Sequence, residues 1–293
     1  MCIRDRCITS CLVFIALCGC ESNTTEFLAD DSGKAAAIEE AKMTLNKGNY
    51  PKAISELEGR YTLPCPDPEI AEILASAYMG SAGIDLTYLI ENIDTDGKTY
   101  DIIASALNLD LVSEGEGDYI TTDSIKLLIE KLEDAQDILT ELIACPPGDY
   151  NSVIQLGMAS AIHFIMKVGI GISDALELTR VPINSIAFNQ LFDVDEDWMG
   201  ELADVKAYLD AHPEIISSLV ADLIDVSEAV RELIGVLGAD EALSDELNSF
   251  LRGFLGIGGR GPVSESDIRS LLTSTRIVTY IQTELLDYEP VSE

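Results

Sequence analysis

The residues that could do chemistry in this chain fall into a few acidic or glycine-rich runs and two histidines. Asn92-Ile-Asp94-Thr-Asp96-Gly97 sets oxygen ligands at alternate positions with a glycine sixth, the opening of a calcium loop. The twelfth position should supply a bidentate carboxylate, and it is Ile103, so the run reads better as a polar turn. Asp193-Val-Asp195-Glu-Asp197 repeats the alternation with Asp204 twelfth, but Trp198 stands where the turn glycine belongs. Those three aspartates are weak metal candidates. The competing reading is an acidic helix start, where carboxylates complement the positive end of the dipole. Gly256-Ile-Gly258-Gly259-Arg260-Gly261 has the composition of a phosphate-cradling loop, yet helical patterns flank it on both sides. Without the preceding strand that such loops need, a connecting turn is the better reading.

Nucleophilic and acid–base catalysis are thinly supplied. The two histidines are His163 and His212. His163 lies in the apolar run Ala161-Ile-His-Phe-Ile-Met166, as a satisfied core histidine or a residue lining a groove. His212 precedes Pro213 at a helix start. Neither has a Ser, Cys or metal partner at a useful spacing. Carboxylate pairs are so many that adjacency says little. The expectation is a non-enzymatic protein without a cofactor. Trp198, the single tryptophan, lies near Phe188, Phe192 and Met199 and is either core or the anchor for a partner. Tyr78, His163 and Trp198 are the candidate binding-surface residues.

Leu17-Cys18-Gly19-Cys20 closes an apolar run from Cys7, with Arg4 and Arg6 ahead and small polar residues behind. A basic start, a short apolar segment and a small residue at the cut form a secretion signal. About ten apolar residues are too few to span a bilayer as a helix. The four residues resemble the lipobox of bacterial lipoproteins, in which the cysteine after the cut receives the lipid. That resemblance implies removal of residues 1–19, a diacylated and N-acylated Cys20, an acidic tether over 20–33 and a body outside the cytoplasm. Glu21 is not the Asp that most often retains lipoproteins at the inner membrane, which points to the periplasmic face of the outer membrane. Cys65 and Cys145 are then the cysteines of the folded body. In an oxidising compartment they pair as a disulfide or remain two separately buried thiols, and the sequence leaves both open.

The formal net charge of −34 over 293 residues excludes nucleic acid as a partner. Such acidity keeps a protein soluble and spaced from anionic lipid, or else it attracts cations and basic partners. Apolar residues make up 47%, enough for a core, and aromatics only 6%. The apolar content is mostly Leu, Ile and Ala, which favours helices over a β-sandwich. After Cys20 no run reaches eighteen unbroken apolar residues.

Helical signals begin at residue 34. Gly48, Ala53 and Leu57 are followed one 34-residue period later by Leu74, Ala75 and Tyr78. Small and large residues at these offsets resemble the signature of tetratricopeptide repeats, where small side chains let paired helices approach and large ones fill the seam. Ala135, Leu139 and Pro147, then Leu156 and Gly157, repeat the register, with Ser160 where an aromatic is the norm. The windows are 34–80 and 122–166. Between them Ile84 to Thr122 holds two helical stretches and a glycine- and acid-rich loop, Glu114 to Asp118.

Beyond residue 166 the register is lost but helices continue to 293. Ile215, Ile216, Leu219, Val220, Leu223 and Ile224 form one 3.6-period stripe. A second runs from Ile268 to Ile281, opened by Ser264 and Asp267 as a capping box. The expected fold is all-α over 34–293, an irregular tetratricopeptide-like, solenoid-like α-α array. By analogy of architecture it implies a scaffold for protein partners in the cell envelope, joined to the membrane by its lipid and open to homo-oligomerisation. The alternative is a small-molecule-binding accessory of transport, since anchor, size and irregular repeats are similar to the T component of TRAP transporters.

Overall fold

A computed structural model describes residues 33–84, 112–114, 117–146, 150–182, 198–237, 248–249, 251–258 and 262–282. The described chain is predominantly helical. Its elements in order are α1 (Lys34–Asn46), α2 (Tyr50–Leu57) with a 3-10 turn at Glu58–Arg60, and α3 (Pro68–Ser81). Then come β1 (Val112–Glu114), β2 (Gly117–Thr121), α4 (Thr122–Ile143), α5 (Tyr150–Ala175) and β3 (Arg180–Pro182). The last are α6 (Trp198–Ala211), α7 (Pro213–Leu237), α8 (Glu265–Leu271) and α9 (Ser274–Tyr280).

Local chemistry explains the boundaries. Gly48 takes φ +71° between α1 and α2, a conformation that costs glycine little. Asp67 caps α3 by accepting from the Ile70 N–H, with Pro68 in the first turn where no amide is needed. Thr121 caps α4 in the same way through the Ser124 N–H. Ser264 and Asp267 form the reciprocal capping box that opens α8. The apolar stripe from Ile268 to Ile281 is two helices rather than one. Leu272 turns extended, and Thr273 caps α9 by accepting from the Arg276 N–H.

Successive helices pack on one another: α2 on α1, α3 on α2, α4 on α3, α5 on α4, and α7 along α5. Two apolar cores result. The first joins α1 to α5 through residues such as Leu57, Leu74, Leu132, Leu139 and Ile162. The second joins α5 to the C-terminal helices through Phe164, Ile172, Leu219, Phe254 and Ile277. Helix α5 feeds both cores from different faces, which is why residues 151–175 are long and apolar enough to cross a membrane by composition. Its apolar surface is instead occupied by neighbouring helices. At Gly157 the contact with α7 is so close that an added Cβ would overlap the Cβ of Ala229.

Ala53, Leu57, Leu74, Ala75, Ala135, Leu139 and Ser160 are at most 1% exposed, and Tyr78 and Leu156 remain below 10%. A small antiparallel sheet, order β1-β2-β3, adds to the helical fold. Glu114, Gly117 and Asp118, expected in a loop, belong to strands β1 and β2, where Glu114 pairs with Gly117. Thr121 pairs with Arg180, so β3 fastens the end of α5 to the start of α4.

Candidate functional site

A groove of about 440 Å³ runs between the segment after α2, helix α3 and helix α4. On α4, Asp134, Asp137, Ile138 and Glu141 fall at i, i+3, i+4 and i+7 and so share one face. Neighbouring positions Leu132, Ala135, Leu139 and Leu142 point into the core together with Ile138, which leaves Asp134, Asp137 and Glu141 facing outward. The facing wall carries Glu58, Tyr61 and Leu63, while Leu74 and Tyr78 come from α3. A disulfide between Cys65 and Cys145, with Cα atoms 5.7 Å apart, fastens the Tyr61–Asp67 segment to the chain just past α4. The wall and the end of α4 are thus covalently joined.

The groove is acidic and its phenols are neutral. The Tyr78 hydroxyl donates to Glu58 Oε1 at 3.1 Å. Burial, with the Glu58 carboxylate beside it, pushes the Tyr78 phenol up to about 12. Burial also raises Tyr61, helped by Glu141 and Asp137. Lys131 Nζ lies 5.3 Å from the centroid of the Tyr78 ring, within cation–π range, and 3.6 Å from Asp134. Asp137 and Glu141 are exposed. Neither has a hydrogen-bond or ion-pair partner among the described residues.

His163 does not share this surface with Tyr78. It is 2% exposed and lies between α4 and α7, because its position on α5 faces inward between the two cores. Its Nδ1 is 2.7 Å from Asp222 Oδ2 on α7. The Gln136 amide donates to the other Asp222 oxygen at 2.9 Å and to Ser160 Oγ at 2.8 Å. The Ser160 hydroxyl in turn donates to Asp225 at 3.0 Å. On the outer side His163 Nε2 is 3.4 Å from Glu133 Oε1, which Lys167 meets at 2.8 Å. Burial pushes the Glu133 carboxyl up, but Lys167 and His163 together bring it below its ordinary value. Asp225 is pushed up to about 6 by burial, against the Ser160 hydrogen bond and with repulsion from Asp222 and Glu228. This polar seam ties α4, α5 and α7 together. It is no hydrolytic triad, since the free face of the imidazole meets a carboxylate and not a hydroxyl or thiol.

Sequence reasoning missed Asp222, Gln136 and the acidic face of α4. A signal for Asp222 existed: it sits inside the stripe Leu219, Val220, Leu223, Ile224, and a carboxylate there is buried at 2% exposure. Tyr61 left no signal, because its wall depends on a disulfide spanning 80 residues.

The remaining sequence candidates are separate from the groove. His212 stacks on Tyr208, ring centroids 4.0 Å apart. Gly256 takes φ +65° in a turn after a helical stretch at 251–255. Cys20, the run Asn92 to Ile103, Asp193, Asp195 and Asp197 lie outside the described residues, as do Phe188, Phe192 and Gly259 to Gly261. Trp198 opens α6, but its side chain is also outside the described set. Among the described residues, no three His, Cys, Asp or Glu side chains are grouped to hold a metal. Comparisons with protein-family models, curated proteins and solved structures found no match to this chain.

Proposed function

We propose that this protein is a non-enzymatic, lipid-anchored scaffold outside the cytoplasm, an irregular tetratricopeptide-like α-α array that holds a protein partner. Residues 1–19 are its leader, Cys20 its anchor, and the periplasmic face of the outer membrane its place of work. The observation that carries the reading is the open groove beside α4, lined by two tyrosines and rimmed by the exposed carboxylates of Asp137 and Glu141. Support comes from the burial of the small and large residues at repeat offsets and from the packing of each helix on the one before it. The transport-accessory reading draws less support. It favours a deep ligand cavity near His163, where His163 Nδ1, Asp222, Gln136 and Ser160 engage one another while His163 Nε2 has no hydrogen-bond partner among the described residues.

The test is a photo-crosslinker at Thr140, an exposed groove residue, in the intact cell envelope. A discrete protein adduct, or a self-adduct from a homo-oligomer, is expected. No adduct, together with a small molecule retained in native mass spectrometry, overturns the scaffold in favour of the transport accessory. Cys20→Ala is expected to abolish lipid labelling and release the protein from membranes. Unchanged labelling and fractionation would sink the anchor.

A further inference from the structure

We propose that the groove beside α4 recognises an extended basic peptide segment, in which Lys or Arg alternates with an aliphatic side chain, and that the Cys65–Cys145 bond holds the recognising wall in place. The inference rests on the scaffold reading and names the chemistry of its partner.

Charge complementarity makes the first argument. Carboxylates stand on both walls, Glu58 on one and Asp134, Asp137 and Glu141 on the other. Lys131 counters only the Asp134 end. Asp137 and Glu141, one turn apart on α4, repel each other until a cation arrives. An ammonium or guanidinium held between the walls relieves that repulsion, and the low-dielectric floor strengthens the attraction.

The apolar surface narrows the class further. Leu63 at the lip is 61% exposed, while Leu74 and Ile138 floor the groove and are buried. A long basic side chain fits such a surface, with its methylene stem on the apolar floor and its head at the rim. Lys131 already lies over the buried Tyr78 ring, which leaves half-buried Tyr61 as the aromatic residue on the wall beside an incoming cation. An open trough of about 440 Å³ admits an extended chain crossing it rather than enclosing a small ligand. A bare divalent ion fits poorly, because the carboxylates are spread along a helix face and are not gathered on one point. Finally, the wall bearing Tyr61 and Leu63 is joined to the end of α4 through Cys65, so reduction frees one side of the trough.

The experiment uses the full mature protein in detergent and an eight-residue fluorescent peptide alternating arginine and leucine, read by anisotropy. Asp137→Asn with Glu141→Gln is expected to weaken binding about tenfold, as is raising salt to about 0.5 M. Replacing arginine by citrulline is expected to abolish binding. A control pair on α7, Glu232→Gln with Glu214→Gln, removes equal charge away from the groove and should leave affinity within about twofold. Equal losses from both pairs mean general attraction to an acidic protein and overturn the proposal. So does calcium alone, if it binds and the groove pair abolishes that binding. Full reduction, verified by thiol alkylation, is expected to weaken the peptide about tenfold. Undiminished binding overturns the role given to the disulfide. If the Thr140 crosslink captures a partner but the peptide fails, the basic-peptide proposal falls and the scaffold stands. If neither forms, both fall.

Discussion

The groove and the buried seam both gather carboxylates against α4, and they do opposite things with them. In the seam each carboxylate has a donor: Asp222 has His163 and Gln136, Asp225 has Ser160, and Glu133 has Lys167. Along the groove, Asp137 and Glu141 look into solvent with no such donor among the described residues. A buried ion pair is weak evidence for stability, because desolvation consumes most of its attraction. Its value is in specifying one arrangement, here the register of α4, α5 and α7. Exposed carboxylates specify nothing inside the fold and remain available to something outside it. Helix α4 thus gives Glu133 and Gln136 to the seam and Asp137 and Glu141 to the groove, while the seam's more buried acids, Asp222 and Asp225, come from α7.

Substitutions can break this contrast or sharpen it. The largest effect should follow Asp222→Ala, which strands His163 and Gln136 in the interior. A loss of about 3–5 kcal/mol is expected in urea unfolding. If the loss is below about 1 kcal/mol, the seam does not hold the helices in register. Next comes Gly157→Val, which forces side-chain atoms into Ala229. Overpacking of this kind costs roughly 1–3 kcal/mol. A neutral result would mean that α5 and α7 separate easily.

Asp225→Asn should act in the other direction. Asp225 has an ordinary value of 3.8 and titrates at about 6 in the fold. Between those values the unfolded chain has released a proton that the folded chain keeps, so stability falls as pH rises through the window. Above it the folded protein carries the full cost of an ionised, largely desolvated carboxylate. The Asn variant still accepts from Ser160 and avoids that cost. Its melting temperature should be higher at pH 7 and flatter between pH 4 and 6. The gain is on the order of 1 kcal/mol once solvent screening is allowed for. The smallest effect belongs to Asp137→Asn with Glu141→Gln, expected within about 0.5 kcal/mol of the parent. A clear destabilisation there would show that the groove acids also serve the fold.

Legibility in the sequence followed the range of the interactions. Ser264 and Asp267 announced a helix start, because a capping box spans only four residues. The small and large residues from Ala53 to Leu156 mark helix faces through local periodicity, and those faces are buried. The break at Leu272–Thr273 hid inside a continuous apolar stripe, since threonine both fits a helix face and caps one. The strands hid because they are short, and because β3 pairs across a long separation, as Arg180 does with Thr121. His163 illustrates the limit most clearly. Its apolar neighbours allowed core or groove, and the deciding partner, Asp222, lies 59 residues away. Tyr78 stood out as an aromatic at a repeat offset. The acids it shares the groove with come from α4 and from the turn after α2, and only tertiary packing unites them.

The Cys65–Cys145 bond also changes what a protease can do to this molecule. It closes a covalent ring that contains α3, both strands of the hairpin and all of α4. A single cut anywhere inside that ring opens the loop without dividing the molecule. The fragments migrate together until a reductant is added. Under the proposed anchoring, everything beyond Cys145 would stay tethered to the lipid on Cys20 after such a nick. Shedding of the C-terminal core would need a cut outside the ring, or the loss of one bond between two sulfur atoms.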